Sequence, residues 1–214
     1  MPRFASVVLD VDSTLSSIEG IDWLAERRTP DVAAAIARLT ERAMDGATPL
    51  EQVYGERLAL VRPTAAEIAA LGEAYVHAVS PGAGDAIARL HGAGVLVLLV
   101  SGGVREAIAP LARRLGVPNA KLHAVSVRFD EGGAYAGWDE RSPLATADGK
   151  RTLVASLALP RPALAVGDGA TDLAMRPAVD AFAAFTGVVR REPVARAADH
   201  VLDSFDALAA LVLG

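Results

Sequence analysis

Four short apolar runs, each ending in small polar or acidic residues, constrain the fold of this chain more than any other sequence feature. They occupy residues 4–9, 95–100, 163–166 and 181–185, and helical patterns separate them. Continuous apolar strands that alternate with helices are typical of a parallel sheet covered on both faces. We therefore predict an α/β protein whose ligands bind beyond the carboxyl ends of the strands.

A long helical segment follows the first strand. Direct crossovers between parallel strands are much shorter than residues 16–79, so we predict a helical cap domain over this range. The core domain would then consist of residues 1–15 and 80–214. The four helices expected in the cap span residues 18–27, 31–44, 50–61 and 65–79.

A hairpin is also predicted on the side of the core. Residues 122–129 and 134–138 have strand-like patterns, and the turn sequence Asp-Glu-Gly-Gly lies between them. Glycine and aspartate between two such runs favour a β-hairpin.

The composition excludes several classes of function. The net charge of −5 argues against a nucleic-acid or anionic-membrane partner. The absence of cysteine excludes disulfides, thiolate metal sites and cysteine catalysis. The longest apolar run, residues 95–100, is too short to span a bilayer, and no signal-peptide core precedes the first strand. We expect a cytoplasmic protein.

Two carboxylates follow the first strand. Asp10 and Asp12 lie two residues apart in the sequence DVDST, so an extended chain points both to the same side. Neighbouring carboxylates share a cation or divide their roles, one ionised and the other an acid and base. The structural alternative is a solvated strand end that caps a helix.

Glycine-containing segments follow the second and third strands. Ser101 and Gly102 precede a predicted helix, where a hydroxyl and backbone N–H groups favour an anion; an ordinary turn is the alternative. Asp168 and Asp172, in GDGATD, suit magnesium, although Asp172 could simply cap a helix. The segment is not a dinucleotide fingerprint, because Asp172 takes the place of the third glycine and would repel a pyrophosphate.

A single lysine completes the set. Lys150 opens a predicted helix; the glycine that a phosphate-binding P-loop requires is Leu144, so that motif is excluded. A lone lysine is usually a solvated surface charge. Combined with the acidic segments, however, it would relieve the repulsion between an attacking carboxylate and a phosphate dianion.

These four elements, in order, resemble the four motifs of the haloacid dehalogenase-like hydrolase superfamily, in the form typical of its phosphoserine phosphatases. Residues 19–22, 56–60 and 136–139 also resemble segments of that family. The resemblance implies a Rossmann-like core with a cap inserted after the first strand, and a magnesium-dependent phosphomonoester hydrolase acting on O-phospho-L-serine in serine biosynthesis.

The resemblance also implies roles for individual residues. Asp10 would be the nucleophile and Asp12 the general acid and base. Glu19 would bind the substrate ammonium group and Arg57 its carboxylate. Substrate or phosphate binding would involve Ser101, Gly102, Lys150 and Thr171. Magnesium would be bound by Asp10, the Asp12 carbonyl and Asp168, supported by Asp172. Met44 would belong to the core or to the pocket wall.

Two departures from the family pattern affect the substrate pocket. Leu50 replaces a common phenylalanine, and Asp45 replaces a common glycine. Three alternatives therefore stay open: another small phosphomonoester, phosphate transfer to an alcohol, or a phospho-accepting signalling receiver. The expected partner is a small-molecule phosphomonoester, with the protein acting as a monomer or homodimer.

Overall fold

The structure, a computed structural model, describes residues 1–44 and 50–214, and side chains for all of these except residues 43, 44 and 50–52. The strands are β1 Ser6–Leu9, β2 Leu96–Val104, β3 Leu122–Val125, β4 Val127–Phe129, β5 Tyr135–Trp138, β6 Ala163–Gly167, β7 Ala181–Phe185 and β8 His200–Leu202. The helices are α1 Gly20–Ala25, α2 Pro30–Met44, α3 Leu50–Val61, α4 Ala65–His77, α5 Ala83–Gly92, α6 Arg105–Arg114, α7 Gly149–Ser156, α8 Ala170–Leu173, α9 Glu192–Ala197 and α10 Phe205–Leu213.

Within the described residues, six strands form one parallel sheet in the order β3-β2-β1-β6-β7-β8. Strand β1 lies between β2 and β6, and Val7, Val8 and Leu9 are fully buried. Apolar side chains without alternation are what a sheet covered on both faces requires. The predicted α/β architecture is confirmed.

Two local predictions are wrong. Strand β2 continues through Ser101 and Gly102 to Val104, so these residues do not form a turn after it. The reason is that β3 pairs with β2 again at Val104, after an irregularity that follows Val100. Residues 122–129 are not one hairpin arm either: β3 joins the main sheet, where Leu122 is buried, and only β4 pairs with β5.

The helices α1 to α4 lie between β1 and β2 in the chain, and Arg28, in the segment between α1 and α2, connects α3 with α4. Its Nε donates to the Val61 carbonyl at the end of α3, while its two terminal nitrogens lie 2.6 and 2.9 Å from the Glu67 carboxylate in α4. Glu67 also accepts from the backbone N–H of Thr64, the residue that caps α4. In the described part of the chain, no helix combines the length and apolar character needed to cross a membrane.

We expect Glu67→Gln to lower the free energy of unfolding by about 1 kcal/mol at pH 7, because it removes the bidentate ion pair with Arg28, whereas the glutamine oxygen still accepts the capping hydrogen bond from Thr64. Hydrogen bonds from Arg28 lower the pKa of Glu67 to about 2, so this stabilisation is present above the ordinary value of 4.5 and disappears as the pH falls towards 2. Urea unfolding at several pH values measures it. The exposed Glu73→Gln on the same helix should have little effect, and a pH-independent difference for Glu67→Gln would contradict the assignment.

Candidate active site

The carboxyl ends of the central strands open into a cleft of about 700 Å³. Asp10 follows β1 and Asp168 follows β6, and these strands are neighbours in the sheet. Lys150 reaches the same edge from the first turn of α7. The segment between β1 and β2 contributes Glu19, Tyr54 and Arg57 among others, so this segment and the strand ends line the cleft together.

A buried ammonium group lies between two carboxylates. Lys150 Nζ is 2.6 Å from Asp10 Oδ1 and 2.6 Å from Asp172 Oδ1, and all three side chains are buried. Burial disfavours the charged lysine, but attraction to Asp10 and Asp172 outweighs it and raises the pKa of Lys150 above its ordinary value. Taken alone, a lysine at this position would be expected at the surface as a solvated charge. In the structure Lys150 is instead buried in the site as a fixed cation.

Neighbouring carboxylates in this cleft oppose ionisation. Burial raises the pKa of Asp10 well above its usual range, and repulsion from Asp172 raises it further. Burial also raises the pKa of Asp168 to about 6, although Arg191 Nε donates to its Oδ2 at 3.0 Å. Thr14 Oγ1 donates to the other Asp168 oxygen at 3.2 Å.

The same carboxylates have the chemistry of a divalent-cation site. One oxygen from each of Asp10, Asp168 and Asp172 lies within 4.8 Å of the others. Of the described residues lining the cleft, five are acidic and two are basic. Hard oxygen donors with excess negative charge suit magnesium or manganese, because a divalent cation offsets the repulsion that raises these pKa values.

Asp12 faces the cap. Its Oδ1 accepts a hydrogen bond from the backbone N–H of Gly20 at 3.0 Å and another from Tyr75 Oη at 2.5 Å. Burial raises the pKa of Asp12, and the Tyr75 hydrogen bond opposes that shift. A carboxyl group with a raised pKa beside a second carboxyl group is suited to exchange protons.

The predicted phosphate-binding residues Ser101, Gly102 and Thr171 differ in their access to the cleft. Gly102 and Thr171 line the cleft. Ser101 is fully buried, and its Oγ accepts from the Gly103 N–H at 2.9 Å, a bond that orders the backbone beside Gly102.

The two charged residues predicted to bind the substrate, Glu19 and Arg57, line the same cleft, where Arg57 is buried and Glu19 is partly exposed. Ser13 Oγ donates to Glu19 Oε1 at 2.6 Å, and burial raises the pKa of Glu19 to about 7. Arg57 is only 5% exposed, and one of its terminal nitrogens lies 3.4 Å from Asp22 Oδ1. Thr40 Oγ1 donates to that Asp22 oxygen at 2.7 Å, so Asp22 is itself held in place.

Sequence reasoning missed two tyrosines of the site. Tyr54 is 2% exposed and lines the cleft. It lies three residues before Arg57 on α3, and that helical spacing was a signal that could have found it. Tyr75 had no local signal, because only the packing of α4 brings it to Asp12. Met44 was predicted to belong to the core or to the pocket wall, but its side chain lies outside the described residues. The same holds for Asp45 and for the side chain of Leu50.

The family model described as haloacid dehalogenase-like hydrolase matches residues 7–177 of this chain. The phosphoserine phosphatase of Rattus norvegicus is 37% identical over 192 residues, which cover 88% of this chain and 84% of the rat protein. The chloroplastic phosphoserine phosphatase of Arabidopsis thaliana is 35% identical over 208 residues, covering 95% of this chain and 70% of that protein.

A solved structure agrees with this relationship. The phosphoserine phosphohydrolase-like protein from Francisella tularensis superposes with a TM-score of 0.84 at 25% identity, covering 97% of this chain and 99% of that chain. A substrate-bound phosphoserine phosphatase complex, at 22% identity and a TM-score of 0.82, shares the fold.

Removing the buried cation tests the electrostatics of the site. We expect Lys150→Met, in the presence of a chelator, to lower the free energy of unfolding by about 3 kcal/mol, because it leaves the buried Asp10 and Asp172 without their partner. The neighbouring Arg151→Met is the control: its pair with Asp148 is exposed and should matter little. Chemical denaturation of both variants measures the difference, and equal effects would show that Lys150 does not compensate these carboxylates.

Proposed function

This chain belongs to the haloacid dehalogenase-like hydrolase family, and we propose that it hydrolyses O-phospho-L-serine to L-serine and phosphate, a step of serine biosynthesis. The observation that carries the proposal is the single cleft in which a carboxylate–lysine cluster faces the cap residues Glu19 and Arg57. The cluster suits an attack on phosphorus, and the cap pair suits the ammonium and carboxylate groups of an amino acid.

Asp10 is the proposed nucleophile. One of its carboxylate oxygens attacks phosphorus, the bond from phosphorus to the serine oxygen breaks, and an aspartyl-phosphate forms. Lys150, 2.6 Å from Asp10, holds positive charge where the negative phosphoryl oxygens must approach. Gly102, Ser101 and Thr171 form the proposed remainder of the phosphate-binding wall.

Asp12 is the proposed general acid and base. It gives its proton to the serine oxygen as that oxygen leaves, and it then takes a proton from the water that attacks the aspartyl-phosphate. The second step releases phosphate, frees Asp10 and returns the proton to Asp12. Burial supports this role because it favours the protonated form that must begin the cycle.

Magnesium is the proposed cofactor. Asp10 and Asp168 would hold it together with the backbone carbonyl of Asp12, and Asp172 would support them. When bound, the ion supplies positive charge that reduces the repulsion between Asp10 and the phosphate dianion.

The cap would select the substrate and exclude water. We propose residues 16–79 as the cap domain and residues 1–15 and 80–214 as the core. Glu19 and Arg57 would bind the amino-acid part of the substrate, while closure of the cap would shield Asp10 from solvent. Placement of the enzyme in the cytoplasm, as a monomer or homodimer, belongs to the same proposal.

The proposal predicts phosphate release from O-phospho-L-serine that requires magnesium and stops with EDTA. Asp10→Asn should reduce the rate by about 1,000-fold or more, because the amide is a poor nucleophile. The exposed Asp85→Asn on α5 is the control and should retain wild-type activity. Phosphate release from a panel of phosphomonoesters, measured with all three proteins, makes the comparison.

Turnover confined to other esters would retain the mechanism and reject the substrate. Appearance of phosphate on an added alcohol would identify a phosphotransferase. A phosphorylated protein that persists without turnover would favour a signalling receiver.

Arg57 provides a separate test of substrate selection. We expect Arg57→Lys to raise KM for phosphoserine by about 10-fold, because lysine cannot make the two parallel hydrogen bonds of a guanidinium to a carboxylate. Hydrolysis of an aryl phosphate, which has no carboxylate, should change little. Steady-state kinetics with the two substrates measures this difference. An equal rise in KM for both substrates would show that Arg57 does not recognise the carboxylate.

A further inference from the structure

Tyr75 makes a contact that the proposed mechanism does not yet use. It lies on α4, is fully buried, and its hydroxyl donates to Asp12 Oδ1 at 2.5 Å. The Gly20 N–H donates to the same oxygen at 3.0 Å. Two donors that converge from different helices fix the orientation of a carboxylate better than either would alone.

Gly20 is the residue that permits this approach. A Cβ at position 20 would lie 2.1 Å from the Tyr75 hydroxyl oxygen and 3.1 Å from the ring carbon that bears it. Any side chain at Gly20 would therefore force Tyr75 away from Asp12. Gly20, the first residue of α1, therefore leaves the space that Tyr75 of α4 needs to reach Asp12 Oδ1.

The other oxygen of Asp12 points to the core side of the cleft. A Cβ built on Gly103 would lie 2.7 Å from Asp12 Oδ2, and Gly103 is one of the residues lining the cleft. The two oxygens of Asp12 therefore have different surroundings: Oδ1 is held by Gly20 and Tyr75, whereas Oδ2 lies beside Gly103.

We propose that Tyr75 is a positioning residue that, with Gly20, holds Oδ1 of Asp12 so that Oδ2 is the oxygen that exchanges the proton. This inference rests on the proposed phosphatase reaction. In the first step Oδ2 gives its proton to the leaving alkoxide oxygen while the Asp10–phosphorus bond forms and the phosphorus–oxygen ester bond breaks. In the second step Oδ2 takes a proton from the attacking water while the water oxygen bonds to phosphorus and the bond between phosphorus and the Asp10 oxygen breaks.

The requirement for a proton differs between leaving groups, and this separates positioning from simple packing. An alkoxide such as that of serine needs a proton to leave, whereas 4-nitrophenolate is stable as an anion and does not. A variant that misplaces Asp12 should therefore slow release of serine far more than release of 4-nitrophenol. A variant that only loosens the fold should slow both.

The experiment is a single-turnover measurement with excess enzyme and magnesium, which reports formation of the aspartyl-phosphate alone. For Tyr75→Phe we expect serine release from phosphoserine to slow by roughly 10- to 100-fold, within the range of acid–base and positioning effects. Release of 4-nitrophenol from 4-nitrophenyl phosphate should stay within about 3-fold, because no proton is required. In steady state, kcat for phosphoserine should fall while KM is retained.

Tyr135→Phe is the matched control. Tyr135 lies on β5, outside the described residues that line the cleft, and its variant should release both leaving groups at wild-type rates. Gly20→Ala is the second variant, and it keeps the backbone N–H while displacing the Tyr75 hydroxyl. It should reproduce the selective loss of serine release, and it should add little to Tyr75→Phe, where the hydroxyl is already gone.

Equal slowing of both leaving groups in Tyr75→Phe and Gly20→Ala, or unchanged serine release in either folded variant, would overturn the inference. Failure of the proposed substrate has a different signature: the wild-type protein itself would release 4-nitrophenol but not serine. The comparison would then use an alkyl phosphate that the wild-type protein hydrolyses. Slower release of that alcohol, with 4-nitrophenol release retained, would again support the positioning role of Tyr75. A wild-type protein inactive on every ester would overturn both proposals.

Discussion

The rest of the site depends on the ion pairs of the buried Lys150 ammonium group with Asp10 and Asp172. Asp10 follows β1 and Asp172 lies in α8. Without a cation between them, their burial would be opposed by desolvation and repulsion. Asp172 uses its other oxygen to accept the N–H of Gly169, so the same ion pair orders the turn after β6. Asp10 can stay buried here because α7 supplies its compensating charge, Lys150.

The segment between β1 and β2 completes the cleft that the strand ends begin. The strand ends provide Asp10, the proposed nucleophile, and Lys150 is supplied by α7, whereas Glu19 and Arg57 reach the cleft from the segment between β1 and β2. Arg57 donates to Asp22 Oδ1 at 3.4 Å, and Thr40 Oγ1 donates to the same oxygen, so Arg57 is linked to Thr40 through Asp22. Under the proposed function, chemistry and recognition therefore reside on separate elements, and their relative geometry depends on how those elements pack.

The parallel sheet could be predicted because strands buried on both faces are uniformly apolar, and the acidic segments could be placed because carboxyl ends of parallel strands share one edge. Where single strands begin and end was harder to predict. Residues 122–129 show one continuous pattern, yet β3 and β4 belong to different sheets, since pairing partners far along the chain divide them. Ser101 and Gly102 belong to β2 for the same reason: β3 pairs with it beyond them.

By itself, the sequence determined the order of the elements, the acidic and lysine motifs, and the family, because these depend on local pattern and on residue type. Tertiary structure alone decided that Lys150 is buried between two carboxylates, that Tyr54 lines the cleft, and that Tyr75 meets Asp12. Tyr75 lies 63 residues from Asp12 in the chain, and their hydrogen bond exists only because Gly20 leaves room for it. Contacts of this kind depend on the packing of α1 and α4 against the core, which no local pattern specifies.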